Sequence, residues 1–245
     1  MSALTALTRR SMLGTLRDGD LIFAVAGPIG FFLCFNLTLR NVIDTGGVPY
    51  AQYILPVIVV QAMIFTAMTT ADRSARDSLS GMGVRLRSLP VRSLVPVTAR
   101  MLAALIRALA ALAAAILVGG LFGFRFYGSY PQSLAFLAIA LLLSLALSLG
   151  ADAMGAGAKT AEQASQSLLV PQLLLVMLST GIAPASAFPD WLGDFVRYQP
   201  VSQISATLRA LADGRYENLA ISMAWCVGML VTFGVIAIRM QRRTR

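Results

Sequence analysis

The sequence predicts an all-α, polytopic membrane protein with six transmembrane helices, and three observations carry that prediction. Six apolar stretches occupy residues 21–39, 52–71, 98–122, 133–153, 166–183 and 219–238 of the 245. With a rise of about 1.5 Å per residue, about 20 apolar residues cover the roughly 30 Å hydrocarbon core. The composition is 57% hydrophobic and 13% charged, with mean hydropathy +0.74, outside the range of a soluble domain. Lipid offers nothing to an unpaired N–H or C=O, so a span with no companion strands is a helix. The whole chain, 1–245, reads as one transmembrane domain.

Residues 1–20 precede the first span. Met12, Leu13 and Leu16 share one side with Arg10 and Arg17 opposite, the pattern of an interfacial helix. Leu4 and Leu7 fall on a different face, so a plain basic anchoring tail is the other reading. The first span starts behind this basic segment without a small-residue cleavage pattern, and so reads as a retained helix rather than a signal peptide.

The second span is expected to run on as a helix through Leu79, until Ser80-Gly81-Met82-Gly83 breaks it. Residues 84–89 are expected to form a short helix that Pro90 ends. The polar connection 72–97 reads either as a basic loop or as a docking elbow for a partner. The third span holds Arg107, seven residues beyond Arg100 and on the same face. An arginine at a span's centre costs about 2.5–3.5 kcal/mol on insertion scales. It therefore either snorkels or pairs inside the bundle, with Asp152 as one partner. In the fourth span Ser144 and Ser148 read as packing groups.

Pro56 and Pro171 are expected to bend the second and fifth spans. Asn36, Gln61, Thr66, Gln166 and Gln172 read as inter-helix glue. Between the fifth and sixth spans, 184–214, Phe188, Trp191, Leu192 and Phe195 fall at helical spacing after or near Pro189. A second short helix follows Pro200, with Ile204, Leu208 and Leu211 on one face and Arg209 on the other, stopping at Asp213-Gly214. Such helices lie flat on the interface or dip back into it; a loop with aromatic anchors is the simpler alternative.

Charge sets the expected topology. With the N-terminus inside, one face collects fourteen basic residues, among them Arg73, Arg76, Arg100 and Lys159; the other holds Arg40, Arg125, Arg197, Arg209 and Arg215. Short cytoplasmic loops carry the Lys/Arg excess, so both termini are expected in the cytoplasm. Net charge +9 is thus a matter of helix ends, and nucleic acid is not an expected partner.

The chain contains no histidine, which excludes His-based acid–base catalysis and His-liganded metals. Cys34 and Cys226 both lie within spans, where a disulfide is not expected. The nearest approach to a phosphate loop, at 150–160, has Ala158 where G-x-x-x-x-G-K-[ST] requires glycine, and follows no strand. No catalytic group, metal or cofactor is expected on this chain.

Two long stretches carry a resemblance: QYILPVIVVQAMIFTAMTTADRSARDSLSGMGVRLRSLPV (52–91), followed by the Arg100 and Arg107 helix, and FPDWLGDFVRYQPVSQISATLRALADG (188–214). With GFRF at 123–126, they make the chain similar to the permease subunits of ABC type-2 exporters, closest to the daunorubicin/doxorubicin-resistance type, a group that includes lipid exporters. The resemblance implies a bacterial cell-membrane half-transporter, with re-entrant helices at 184–214, that pairs with a second permease, the same or a related chain. Two copies of an ABC ATPase subunit would carry the ATP and Mg.

It also implies that the ATPase meets the 72–97 elbow, through Asp72, Arg76, Asp77, Gly81, Arg85 and Arg87. Asp77 and Gly81 stand near the family's acidic and glycine positions, although the usual Glu-x-Gly spacing is altered here. The second and fifth spans would line the substrate route, with Gln61, Met63, Gln172 and Met177 on it. Phe188, Trp191, Pro200 and Arg209 would mark the outer segment. The function expected is export of a hydrophobic drug-like or lipid-like substrate out of the cell, with ATP hydrolysed by a separate subunit. The alternatives are an ATP-independent secondary transporter or channel, which usually shows intramembrane acidic relays or repeats, and a membrane enzyme, which lacks its acids here.

Overall fold

A computed structural model describes residues 19–43, 47–81 and 95–243. All regular elements among them are helices: α1 (Asp20–Leu39), α2 (Tyr50–Leu79), α3 (Val95–Leu121), α4 (Tyr130–Ala156), α5 (Ala161–Met177), α6 (Asp190–Tyr198), α7 (Pro200–Ala212) and α8 (Leu219–Arg243), with a 3-10 turn at Ala185–Ala187. The interfacial segment expected before residue 19, the short helix expected at 84–89, and Arg85 and Arg87 lie outside the described residues.

Five of these helices, α1, α2, α3, α4 and α8, are long and apolar enough to cross a membrane. The fifth expected span is different in form. Its helix, α5, starts at Ala161 and has 17 residues, about 25 Å of rise. At 178–184 the chain reverses instead of continuing helically. Ser179 Oγ donates back to Val176 O at 2.7 Å, and Gly181 N–H donates to Ser179 Oγ at 3.3 Å. These local side-chain bonds compete with the next helical turn, and hydropathy alone does not register them.

α2 is the axis of the molecule. Its apolar window is 83% buried, against 24% for α1 and 17% for α8. Thirty residues give about 45 Å of helix, well beyond the hydrocarbon core. It stops where the sequence predicts, with Ser80 N–H bonding Arg76 O and Gly81 at φ +68°, a left-handed position that glycine adopts without a Cβ penalty. Around α2 pack α1, α3, α4, α5 and α7, while α8 packs on α4.

The tightest seam joins α2 to α4. Ala67, Ala71 and Ala75 of α2 meet Ala151 of α4 in one buried cluster. A Cβ placed on Gly155 would lie 2.2 Å from the backbone oxygen of Ala71. In lipid, small residues at a four-residue period let backbones approach. Ser74 and Ser78 then donate across the seam to the carbonyls of Asp152 (2.8 Å) and Ala156 (3.1 Å). α4 itself opens with a reciprocal cap between Ser129 and Gln132, and α5 with Thr160 accepting from Gln163 N–H at 3.0 Å.

Candidate functional site

Asp20, the end of α2, the start of α3 and the end of α4 gather at one end of the bundle, called here the basic end. The Arg100 guanidinium grips the Asp152 carboxylate with two nitrogens, Nε to Oδ1 and Nη2 to Oδ2, the latter at 3.0 Å. Its third nitrogen lies 3.9 Å from Asp77 on α2. The Asp152 side chain is 5% exposed, so this two-pronged pair is shielded from solvent and salt. Arg73 of α2 pairs with Asp20 of α1. Asp72 and Arg76 form an i, i+4 pair on the α2 surface, of little energetic weight.

Arg107 is 1% exposed and donates from Nη2 to Thr70 Oγ1 at 2.9 Å. Thr70 Oγ1 passes its own hydrogen to Thr66 O. Asp152 is therefore not its partner. Arg100 and Arg107 share a face, but Arg100 is level with the end of α4, and two turns of α3 (about 10 Å) separate the candidates.

The opposite end is closed by a clasp of side chains on the first turn of α2. Gln52 bonds Asp213 (3.0 Å) and both the N–H and C=O of Arg125. Tyr53 donates its hydroxyl to Thr180 O at 2.8 Å, and its own carbonyl accepts from Arg209 Nη2 at 2.9 Å. The Arg209 guanidinium carbon sits 3.8 Å above the Tyr53 ring, a cation–π contact inside a partly dry site. From α4, Gln132 reaches Gly214 O at 2.6 Å. The reversal at 178–184 and the α6–α7 pair are thus pinned to α2 and to the α3–α4 loop.

Residues 184–214 are helical, not a plain loop. α7 runs as the sequence predicts, burying Ile204, Leu208 and Leu211. Arg209 sits on its other face, where Tyr53 covers it. α6 buries Val196 and leaves Trp191, Phe195 and Tyr198 exposed, Trp191 by 82%. These three recur at i, i+4 and i+7, an aromatic strip of the kind found at membrane interfaces. Phe188 is half-buried beside it.

Midway along the bundle is a half-open cavity of about 180 Å³, lined by α2, α4, α5, α7 and α8. Its walls include Val60, Leu147, Val201, Phe233 and Pro200, and among the described residues only Gln172 contributes a polar side chain. Of the four residues proposed for a route, Gln172 alone lines this space. Gln61 and Met63 are buried on α2 and are not among the residues that line it, and Met177 is exposed at the end of α5. Gln166 is exposed, and Gly150 to Gly157 belong to α4 and its cap rather than to a phosphate loop. Gln52 and Tyr53 were not singled out on sequence grounds, and Asp152 only as a partner for Arg107; polar groups in a span's first turn and an acid near a span's end were the available signals.

The chain matches the ABC-2 type transporter family over residues 2–212. It belongs to that family. Over 229 residues it is 33% identical to the doxorubicin resistance ABC transporter permease protein DrrB of Mycobacterium tuberculosis, covering 90% of this chain and 79% of that protein. It is 28% identical to the same organism's probable doxorubicin resistance ABC transporter permease protein DrrC, covering 93% and 84%. With the daunorubicin resistance ABC transporter permease protein DrrB1 of Streptomyces coeruleorubidus it shares 24% identity, covering 98% and 86%. Membership in the family and five apolar spans together make it a multi-pass membrane protein.

Proposed function

We propose that this chain is the permease subunit of a bacterial ABC exporter, moving a hydrophobic drug-like or lipid-like substrate out of the cell while a separate subunit hydrolyses ATP. The observation that carries this is the Arg100–Asp152–Asp77 cluster. It ties together α2, which enters the 82–94 connection, and α3, which leaves it. A push on that connection reaches α4 through Asp152 and travels along α2, one continuous rod, to the clasp on α7. Twisting the first turn of α2 loosens Gln52 and Tyr53 from the reversal, and the α6–α7 pair moves with it.

In this reading the basic end and both termini face the cytoplasm, as the Lys/Arg excess favours. Two ATPase copies bind the elbow around Asp72, Arg76, Asp77 and Gly81, and they hold the ATP and Mg; this chain binds no cofactor and catalyses no reaction. A second permease, identical or related, completes the transporter, and the exposed apolar faces of α1 and α8 meet lipid or that second copy.

The test uses inside-out vesicles carrying the permease and its ATPase, with doxorubicin, the drug in the relatives' names, as cargo. Accumulation that needs ATP and both chains is the expected result. Accumulation driven by an ion gradient without ATP would favour a secondary transporter. Asp77→Arg places a cation against Arg100 and is expected to reduce ATPase co-purification several-fold while membrane insertion is unchanged.

A further inference from the structure

The interrupted end of α5 lies where open backbone carbonyls are costly, since lipid offers them no donor. Gly181 packs against Val57 so closely that an added Cβ would sit 2.4 Å from the Val57 Cβ. Val57 is five residues inside the apolar run of the second span, about 7.5 Å along the helix. Each carbonyl from 178 to 182 is nevertheless paired. Gln199 Nε2 donates to Leu178 O, and Ile182 N–H donates to Ser179 O at 3.3 Å. The Tyr53 and Tyr50 hydroxyls donate to Thr180 O (2.8 Å) and Ile182 O (3.3 Å). Arg209 Nη2 donates to Gly181 O at 3.4 Å while also reaching Tyr53 O.

Covering these carbonyls does not by itself require a cation, yet Arg209 brings one. Among the described residues no carboxylate forms an ion pair with it. Asp213, at the end of α7, bonds Gln52 and pairs with Arg215 instead. The countercharge is made of dipoles. Tyr53 O receives both Nε and Nη2, at 3.2 and 2.9 Å, and the Tyr53 ring lies under the guanidinium. A helix C-terminus carries partial negative charge, and the carbonyls of interrupted membrane helices are a setting in which cations bind.

We infer that the broken end of α5 is a seat for a planar cation, filled in this structure by Arg209 of the same chain. Arg209 is thereby a positioning residue for export, returning α6 and α7 to α2 in each cycle. It stands on α7 and bonds two other elements, α2 through Tyr53 O and the reversal through Gly181 O. Lifting α7 from α2 uncovers those carbonyls and strands the charge, so the closed arrangement is favoured until α2 itself moves. Guanidinium suits the seat because its donors fork towards two acceptors while its face lies on a ring; an ammonium has neither the plane nor the fork. The inference rests on the export reading only in calling the seat a latch; the seat itself needs neither ATP nor the ATPase.

The experiment empties the seat with Arg209→Ala and refills it with about 20 mM guanidinium chloride, enough to load a millimolar site by mass action. In the purified full chain, the salt is expected to raise the variant's melting midpoint by about 2–4 °C, and to leave the wild type unchanged or lower. In vesicles holding permease and ATPase, with the salt on both sides, the variant is expected to keep hydrolysing ATP. It should move about tenfold less doxorubicin per ATP, and guanidinium should restore most of that loss where sodium chloride restores none. Arg209→Lys, which keeps the charge without the fork, is expected to fall between the two.

A midpoint that guanidinium lowers in both proteins, or a transport loss that it fails to restore, overturns the proposal. If Arg209→Ala is not recovered from membranes, Arg209→Lys carries the test. Drug moved per ATP equal to the wild type then overturns the inference, and a loss at unchanged ATPase co-purification upholds it. Wild-type vesicles that accumulate no drug retire the export reading, and the melting shift alone then upholds or overturns the cation seat.

Discussion

At the scale of single residues, the protein depends on charges that lipid makes expensive. Asp152 is held by Arg100 in a two-pronged, shielded pair. Removing one partner of such a pair leaves a charge stranded and typically costs about 3–5 kcal/mol. Arg100→Ala is therefore expected to lower the thermal stability of the detergent-solubilised protein and to reduce transport sharply. Arg100→Asp alone should be worse, because two carboxylates would face each other. Combined with Asp152→Arg it should recover much of the stability, and a thermal-shift series on the three variants measures this. A double variant no better than Arg100→Asp would mean that Arg100 matters for some reason other than this pair.

Which arginine takes Asp152 could not be read from the sequence. Arg100 and Arg107 share one face of α3, and the choice depends on how far α3 and α4 are shifted along each other. That offset is set by packing between helices and leaves no trace in periodicity. Arg209 was legible in part: its side of α7 follows from helical spacing, whereas its seat on the Tyr53 carbonyl and ring does not. Gln172 was visible as a polar residue in an apolar run, but its place beside a cavity needed five helices in position.

At the scale of elements, the α2–α4 seam is where the fold has least room. The Ala71 oxygen beside Gly155 is backbone and does not swing aside as a side-chain end does. Gly155→Val is expected to force the helices apart, separating Ser74 and Ser78 from their acceptors and costing about 1–3 kcal/mol as overpacking does. Protein yield and monodispersity after solubilisation are the readouts; an unchanged profile would show that α4 has another way to dock. Ala67, Ala71, Ala75, Ala151 and Gly155 announce this seam by their four-residue spacing, a signal as plain as the hydropathy itself.

Element boundaries were readable where local chemistry dictates them. Gly81 ends α2, Pro200 opens α7 and Gly214 at φ +83° closes it. The fifth span was not. Its apolar run continues past Met177, but the hydroxyl of Ser179 folds back on the helix end and Gly181 packs against Val57. Composition counts residues and does not see that turn.

At the scale of the whole molecule, the sequence specified the solvent before it specified anything else. Apolar runs of about 20 residues with arginines at their ends point to a membrane-spanning chain before any single site can be read. The grouping into a basic end, a mid-bundle cavity and a clasp then follows from which polar groups each helix carries at which depth. α2 touches all three, and in the proposed mechanism it is the rod by which a displacement delivered at Asp77 reaches Tyr53.

In the proposed function this chain is half of a machine whose motor is another protein. A tagged pull-down from gently solubilised native membranes, with mass spectrometry of the eluate, tests it most directly. Recovery of a phosphate-loop ATPase in near-equal amount is the predicted result, with a second permease species present only if the transporter is a heterodimer. Recovery of the chain alone, in a detergent that preserves a known ABC complex, would contradict the account.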